Sequence, residues 1–187
     1  MLREFSAGGI VYFRCCPPKG NNKGIIPWEG RHPAACCGGL HKKEKKDILW
    51  LIRRPKGGGD YRGNLGWSFP KGLIDKKIKN KNEKGKMGEM ETPEEAALRE
   101  VAEEGGVKAK IIAKLPALKI FFTNPDDQKV TKLITYFVME WLGDLKEGFG
   151  WETKEIKWVS KKGALKLLTY KNEQELLKQA TEKVGGL

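Results

Sequence analysis

Three glutamates on one predicted helix have a spacing that suits a divalent cation. Glu100, Glu103 and Glu104 fall on a narrow stripe of a helix that turns about 100° per residue. Neighbouring like charges on a helix cost roughly 0.2 to 0.5 kcal/mol per pair, and the C-terminal end of a helix disfavours anions. A bound cation reverses both penalties, and Mg²⁺ prefers oxygen ligands that it shares with substrate phosphates. The stripe therefore predicts a site for Mg²⁺ or Mn²⁺, with a solvated acidic face as the plainer alternative.

The element that must position these carboxylates is a helix with local start and stop signals. Thr92 and Glu95 form a predicted capping box, and Pro93 suits the first helical position. The Gly105-Gly106 pair ends the helix. A neighbouring apolar stripe predicts the face that packs against a sheet, and it consists of Ala97, Leu98 and Val101.

The wider spacing around this helix resembles the signature of the Nudix hydrolases. That signature is Gly, five residues, Glu, seven residues, then Arg-Glu-hydrophobic-x-Glu-Glu-x-Gly-hydrophobic. Its fixed positions are filled by Gly85, Glu91, Arg99, Glu100, Val101, Glu103, Glu104, Gly106 and Val107. A Pro70-Lys71-Gly72 turn of the kind that precedes the helix in close relatives lies further upstream here, so either Gly72 or Gly85 is the equivalent glycine.

The resemblance implies an Mg²⁺-dependent attack of water on phosphorus. Glu100, Glu103 and Glu104 would hold the metal, and Arg99 would position these glutamates. The general base would be one of the same glutamates or Glu152. The structural positions of the signature would be Gly85, Glu91 and Gly106.

The resemblance also implies candidate contacts to substrate. Lys71 lies in a Trp-Ser-Phe-Pro-Lys-Gly element whose lysine is near the phosphates in relatives. Lys132 and Tyr136 lie on a predicted strand that lines the nucleotide pocket in relatives, and Arg53 is a further candidate for phosphate. A surface position for Lys71 and a core position for Tyr136 are the structural alternatives.

The substrate that the resemblance favours is a dinucleoside polyphosphate such as diadenosine tetraphosphate. One alternative is a pyrophosphohydrolase of free or oxidised nucleoside triphosphates. Another is a non-catalytic domain that binds nucleotide or RNA. The formal charge of +12, from 36 Lys and Arg against 24 Asp and Glu, agrees with a polyanionic ligand in each case.

The order of predicted elements resembles the Nudix fold, an α/β fold in which a mixed β-sheet is sandwiched between helices. We expect one domain over residues 1–187, with insertions at about 15–47 and 73–90. Lys108–Phe122 and Lys129–Leu142 predict two strands after the central helix. Helices are predicted from Ser160 onward, with a break at 169–172.

The remaining sequence features concern the compartment and the cysteines. The chain has no apolar run of about 18 residues, and its first residues lead directly into a strand, so we expect a cytoplasmic protein without a membrane partner. The cysteine pairs lack the two-residue spacing common in zinc knuckles. Unbound thiols and a structural Zn²⁺ site are the two interpretations of Cys15, Cys16, Cys36 and Cys37.

Overall fold

A mixed seven-stranded sheet forms the centre of the protein. The computed structural model describes residues 2–15, 47–57, 66–75, 90–124 and 126–186. The strands of the described part are β1 (Leu2–Cys15), β2 (Asp47–Pro55), β3 (Lys71–Leu73), β4 (Val107–Lys114), β5 (Leu118–Thr123), β6 (Lys129–Asp144) and β7 (Thr153–Ser160).

The strand order is β4-β6-β1-β2-β7, with β3 paired to β1 and β5 paired to β6. The long strands β1 and β6 run parallel, whereas the other neighbours are antiparallel. The predicted mixed sheet is confirmed.

Three helices cover this sheet in the described residues: α1 (Pro93–Gly105), α2 (Lys161–Leu167) and α3 (Lys171–Gly185). The predicted capping box is present, since the Thr92 side chain accepts from the Glu95 amide and the Glu95 carboxylate accepts from the Thr92 amide. Gly106 ends α1 with φ of 67°, a left-handed conformation that glycine adopts without strain.

Each face of the sheet carries its own apolar core. Ala96, Ala97 and Val101 of α1 pack with Val11 and Leu51 on one face. The other face packs against α2 and α3 through residues such as Trp50, Phe69, Leu168, Leu177 and Ala180. The sheet is therefore sandwiched between helices, as predicted.

Two local predictions are corrected by the structure. The predicted strand Lys108–Phe122 is two strands, because Pro116 lies in the interval between β4 and β5 and has no amide to donate. Leu98 does not join the buried stripe of α1, since its side chain is 38% exposed, whereas Ala97 and Val101 are fully buried.

The two ends of each predicted insertion are next to each other in the structure. Cys15 pairs with Asp47 across β1 and β2, so residues 16–46 connect two adjacent strand ends. The Glu91 amide donates to the Asp75 carbonyl at 2.9 Å, and the Asp75 amide donates to the Glu91 carboxylate at 3.1 Å. The residues that flank 76–89 are therefore also adjacent in space.

Among the residues that the structure describes, no helix combines the length and the hydrophobicity needed to cross a bilayer.

Candidate active site

The last two turns of α1 carry the three predicted metal-binding glutamates. Glu100 and Glu104 are buried, being 7% and 5% exposed, although each carries a carboxylate. The Glu103 side chain is 59% exposed. A buried carboxylate is costly unless it is paired, so the partners of these residues define the site.

Arg99 ties the acidic residues together. Its guanidinium group donates two parallel hydrogen bonds to Glu91, with distances of 2.9 and 3.0 Å. Its Nη1 atom donates to Glu100 at 2.6 Å and to Glu103 at 3.0 Å, and Nη2 donates to the Leu73 carbonyl at 2.9 Å. A planar, multidentate donor of this kind fixes the carboxylates relative to one another.

Glu104 is held from the opposite side by β2 and β3. One carboxylate oxygen pairs with the buried Arg53 guanidinium group. The other accepts from the backbone amide of Lys71 at 2.7 Å. Burial raises the pKa of Glu104 to about 7, although Arg53 and the Lys71 amide act in the opposite direction.

Glu100 lies against the backbone of β3. A methyl group at Gly72 would overlap the Glu100 carboxylate, so any larger residue here would have to displace that carboxylate. Burial raises the pKa of Glu100; Arg99 lowers it, and repulsion from Glu103 and Glu152 raises it further. Glu152 therefore lies close enough to act electrostatically on the predicted metal ligands.

One open cleft of about 810 Å³ brings these groups together. Its lining residues include Glu152, Lys132 and the three glutamates of α1. Lys132 also lies 3.5 Å from Glu4. The structure thus places the predicted catalytic, metal-binding and lysine positions around a common space.

The side chains that line this cleft include oxygen donors of the type that a hard cation prefers. Six acidic residues line it against three basic ones: Asp75, Glu100, Glu103, Glu104, Glu147 and Glu152 against Lys71, Arg99 and Lys132. Carboxylate oxygens are the donors that Mg²⁺ prefers. Within the described ranges, however, no three acidic, histidine or cysteine side chains are grouped so that they could hold a metal ion.

Glu173 of α3 contacts two predicted site residues, and the sequence did not identify it. Its Oε1 atom accepts from the Lys71 ammonium group and from the Tyr136 hydroxyl group, each at 2.9 Å. The Glu173 side chain is only 3% exposed. The only sequence signal for Glu173 was a charged residue in the first turn of α3. Its partners Lys71 and Tyr136 lie 102 and 37 residues away in sequence, so these contacts could not be predicted.

The structure gives the surroundings of three predicted substrate contacts. Tyr136 is fully buried and packs edge-on against Phe69, so the structure shows it in the core rather than on the cleft wall. Arg53 is buried and its guanidinium group pairs with Glu104, and its assignment as a phosphate contact stays a prediction. Lys71 lines the cleft, but its ammonium group binds Glu173.

Some predicted positions lie outside the described residues. Gly85 is one of them. Among the described glycines, Gly72 is the one that lies beside a carboxylate of the signature, that of Glu100. Cys16, Cys36 and Cys37 are also outside, as is the side chain of Cys15. The zinc hypothesis remains a prediction.

Comparison with known proteins identifies the family. The NUDIX domain matches residues 30–180 of the chain. The chain belongs to the Nudix family. A Mycobacterium tuberculosis protein named MutT4 is 33% identical over 128 residues, which are 68% of this chain and 46% of that protein. The chain thus matches less than half the length of this curated relative.

Solved Nudix structures share the fold. An Ap4A hydrolase from C. elegans, in a binary complex, superposes with a TM-score of 0.57 at 17% identity, covering 98% of this chain and 99% of the other. The NUDIX domain of Shewanella oneidensis NrtR, complexed with ADP ribose, gives a TM-score of 0.57 at 12% identity, with 98% and 90% coverage. This likeness shows that the mixed sheet and flanking helices form a Nudix fold.

Proposed function

We propose that this Nudix protein hydrolyses a substrate built on a nucleoside diphosphate, by attack of water on phosphorus. The observation that carries the proposal is the cleft in which the α1 glutamates and Glu152 meet, with Arg99 and Arg53 holding the buried members. Such an arrangement of fixed carboxylates in an open, water-accessible cleft supports phosphoryl chemistry more than a purely structural role.

Mg²⁺ is the cofactor that the family generally uses, and Mn²⁺ has the same preference for oxygen ligands. Glu100, Glu103 and Glu104 are the residues that would hold it. When bound, the ion would neutralise charge on the phosphate oxygens and lower the pKa of the attacking water.

The chain's own residues would prepare the site for this chemistry. Arg99 and Arg53 orient the glutamates before substrate arrives, which is the preorganisation that phosphoryl transfer depends on. Glu103 is the most exposed of the three and Glu152 is exposed on the cleft wall, so these two are our candidates for the general base. A base on the cleft wall can reach a water molecule on the phosphate.

A dinucleoside polyphosphate remains our first substrate. Lys132 and Lys71 border the acidic cleft, and the net charge of +12 would attract a long anionic chain. Hydrolysis of free or oxidised nucleoside triphosphates is the alternative activity. RNA is an alternative ligand for a protein of this charge.

The experiment is a substrate panel with and without Mg²⁺. It contains diadenosine polyphosphates, ordinary and oxidised triphosphates, nucleotide sugars and capped RNA, with products separated by chromatography. ATP released from diadenosine tetraphosphate supports the first substrate, and monophosphate with pyrophosphate from triphosphates alone supports the alternative. No Mg²⁺-dependent turnover of any substrate would overturn the hydrolase proposal.

A further inference from the structure

Two aromatic side chains project from the loop of residues 145–152, here called the rim loop. Trp151 is 80% exposed and Phe149 is 38% exposed. An exposed single apolar residue is ordinary on a protein surface, but these two also line the acidic cleft beside Glu103 and Glu152. Their position next to the predicted metal ligands calls for a ligand-based explanation.

The rim loop is fastened to the helix that carries the glutamates. The Leu145 amide donates to the Gly106 carbonyl at 2.8 Å, and the Gly150 amide donates to the Glu103 carbonyl at 2.6 Å. Just after the loop, the Thr153 hydroxyl group donates to the Glu104 carbonyl at 2.9 Å. The backbone on either side of the exposed aromatic residues is therefore anchored to the helix that carries the carboxylates.

A second hollow, of about 710 Å³, is also lined by residues of the rim loop. Phe149, Gly150 and Trp151 line both spaces. The second hollow is basic, because Arg54, Lys56 and Lys154 line it. Trp151 thus borders both an acidic cleft suited to a metal-bound phosphate and a basic hollow suited to a further anionic group.

We propose that Trp151, with Phe149 beside it, is the platform on which a nucleobase of the ligand stacks. An aromatic face supplies stacking to any base, and the neighbouring charges suit the phosphates that accompany it. The proposal deepens the proposed function, since it takes the ligand to be a nucleotide, but it concerns binding and does not require turnover.

Binding of ADP to the full chain, measured by calorimetry with Mg²⁺ and with ADP supplied as its non-hydrolysable α,β-methylene analogue, tests the platform without hydrolysis. Inorganic tripolyphosphate is the base-free probe. Trp151→Ala should weaken ADP binding about ten- to hundred-fold, the loss expected for one stacked base, and leave tripolyphosphate binding unchanged. Trp151→Phe should restore most of the affinity for ADP.

Phe121→Ala is the matched control, because Phe121 is 66% exposed on β5 and lines neither hollow. It should leave ADP binding unchanged. Equal affinity of the wild-type protein and Trp151→Ala for ADP, an equal loss for both probes, or absence of ADP binding to the wild-type protein would overturn the platform. A protein that turns over no substrate but binds ADP through Trp151 would contradict the hydrolase proposal alone.

Discussion

The guanidinium group of Arg53 pairs with the carboxylate of Glu104 inside the protein, where both side chains are less than 10% exposed. The pair joins β2 to the helix that carries the other candidate metal ligands. Breaking a buried pair leaves an uncompensated charge, whereas a surface pair contributes little. Arg53 is therefore expected to stabilise the fold and the geometry of Glu104 together.

Replacing Arg53 should lower the free energy of unfolding more than replacing Arg54 does. Arg53→Met is expected to lower the free energy of unfolding by about 3 to 5 kcal/mol in EDTA at pH 8. Arg54→Met is the control, because Arg54 pairs with Glu155 at half-exposed positions and should cost about 1 kcal/mol or less. Urea unfolding measures both, and equal losses would contradict a special role for the buried pair.

The metal-free protein should lose stability as the pH rises through the weakly acidic range. Burial raises the pKa of Glu104 from 4.5 to about 7, and that of Glu100 in the same direction. Between these pH values the folded protein binds more protons than the unfolded chain, so the free energy of unfolding falls as pH rises. Glu91, whose pKa Arg99 lowers, acts with the opposite sign and only below its ordinary value of 4.5.

Glu104→Gln removes the main group that titrates between pH 4.5 and about 7 in the folded protein. Denaturant unfolding in EDTA from pH 5 to 8 should give a flatter pH dependence for the variant than for the wild-type protein. Parallel curves for the two proteins would show that Glu104 titrates normally in the folded state.

Lys71 and Glu173 should be energetically coupled. Removing either partner leaves the other without its ion pair, so Lys71→Met, Glu173→Gln and the double variant should give a coupling energy of about 0.5 to 3 kcal/mol. The exposed pair Lys178 and Glu175 on α3 is the control, with an expected coupling of about 0.5 kcal/mol or less. Additive losses at Lys71 and Glu173 would mean that their 2.9 Å contact does not persist in solution.

Local signals in the sequence were enough to predict α1. Its cap, its first-position proline, its terminal glycines and its acidic stripe all lie within residues 92–106, and each is present in the structure. The mixed sheet was predicted from the resemblance of the chain to the Nudix fold. The partners of Glu104 could not be predicted, because Arg53 is 51 residues away and its pairing depends on how β2 meets the helix.

The glycine of the signature is a second feature that the sequence alone could not assign. The spacing of the signature is filled by Gly85, with Gly72 as the alternative, and the structure shows Gly72 packed against Glu100. Sequence spacing counts the residues of an insertion, but the mutual hydrogen bonds of Asp75 and Glu91 bring its two ends together. Residues that are separated along the chain therefore meet in space at this point.

Deleting residues 76–89, with a short Gly-Ser linker in their place, tests this interpretation. The variant lacks Gly85, but we expect it to fold with a stability within about 1 kcal/mol of the full chain and to keep its Mg²⁺-dependent turnover. Gly72→Ala should instead lose turnover, because the added methyl group displaces the Glu100 carboxylate. A folded but inactive deletion variant alongside an active Gly72→Ala protein would assign the role to Gly85.

The central claim is that the glutamates at the end of α1 carry Mg²⁺-dependent hydrolysis, and turnover of Glu103→Gln tests it most directly. Glu94→Gln is the matched control, since Glu94 is exposed on the first turn of the same helix. On the best substrate of the panel, Glu103→Gln should lower kcat by about a hundred-fold or more, as expected for a metal ligand or general base, with an unchanged melting curve. Glu94→Gln should stay within about two-fold of the wild-type rate. A Glu103→Gln protein that turns over as fast as Glu94→Gln would contradict the account.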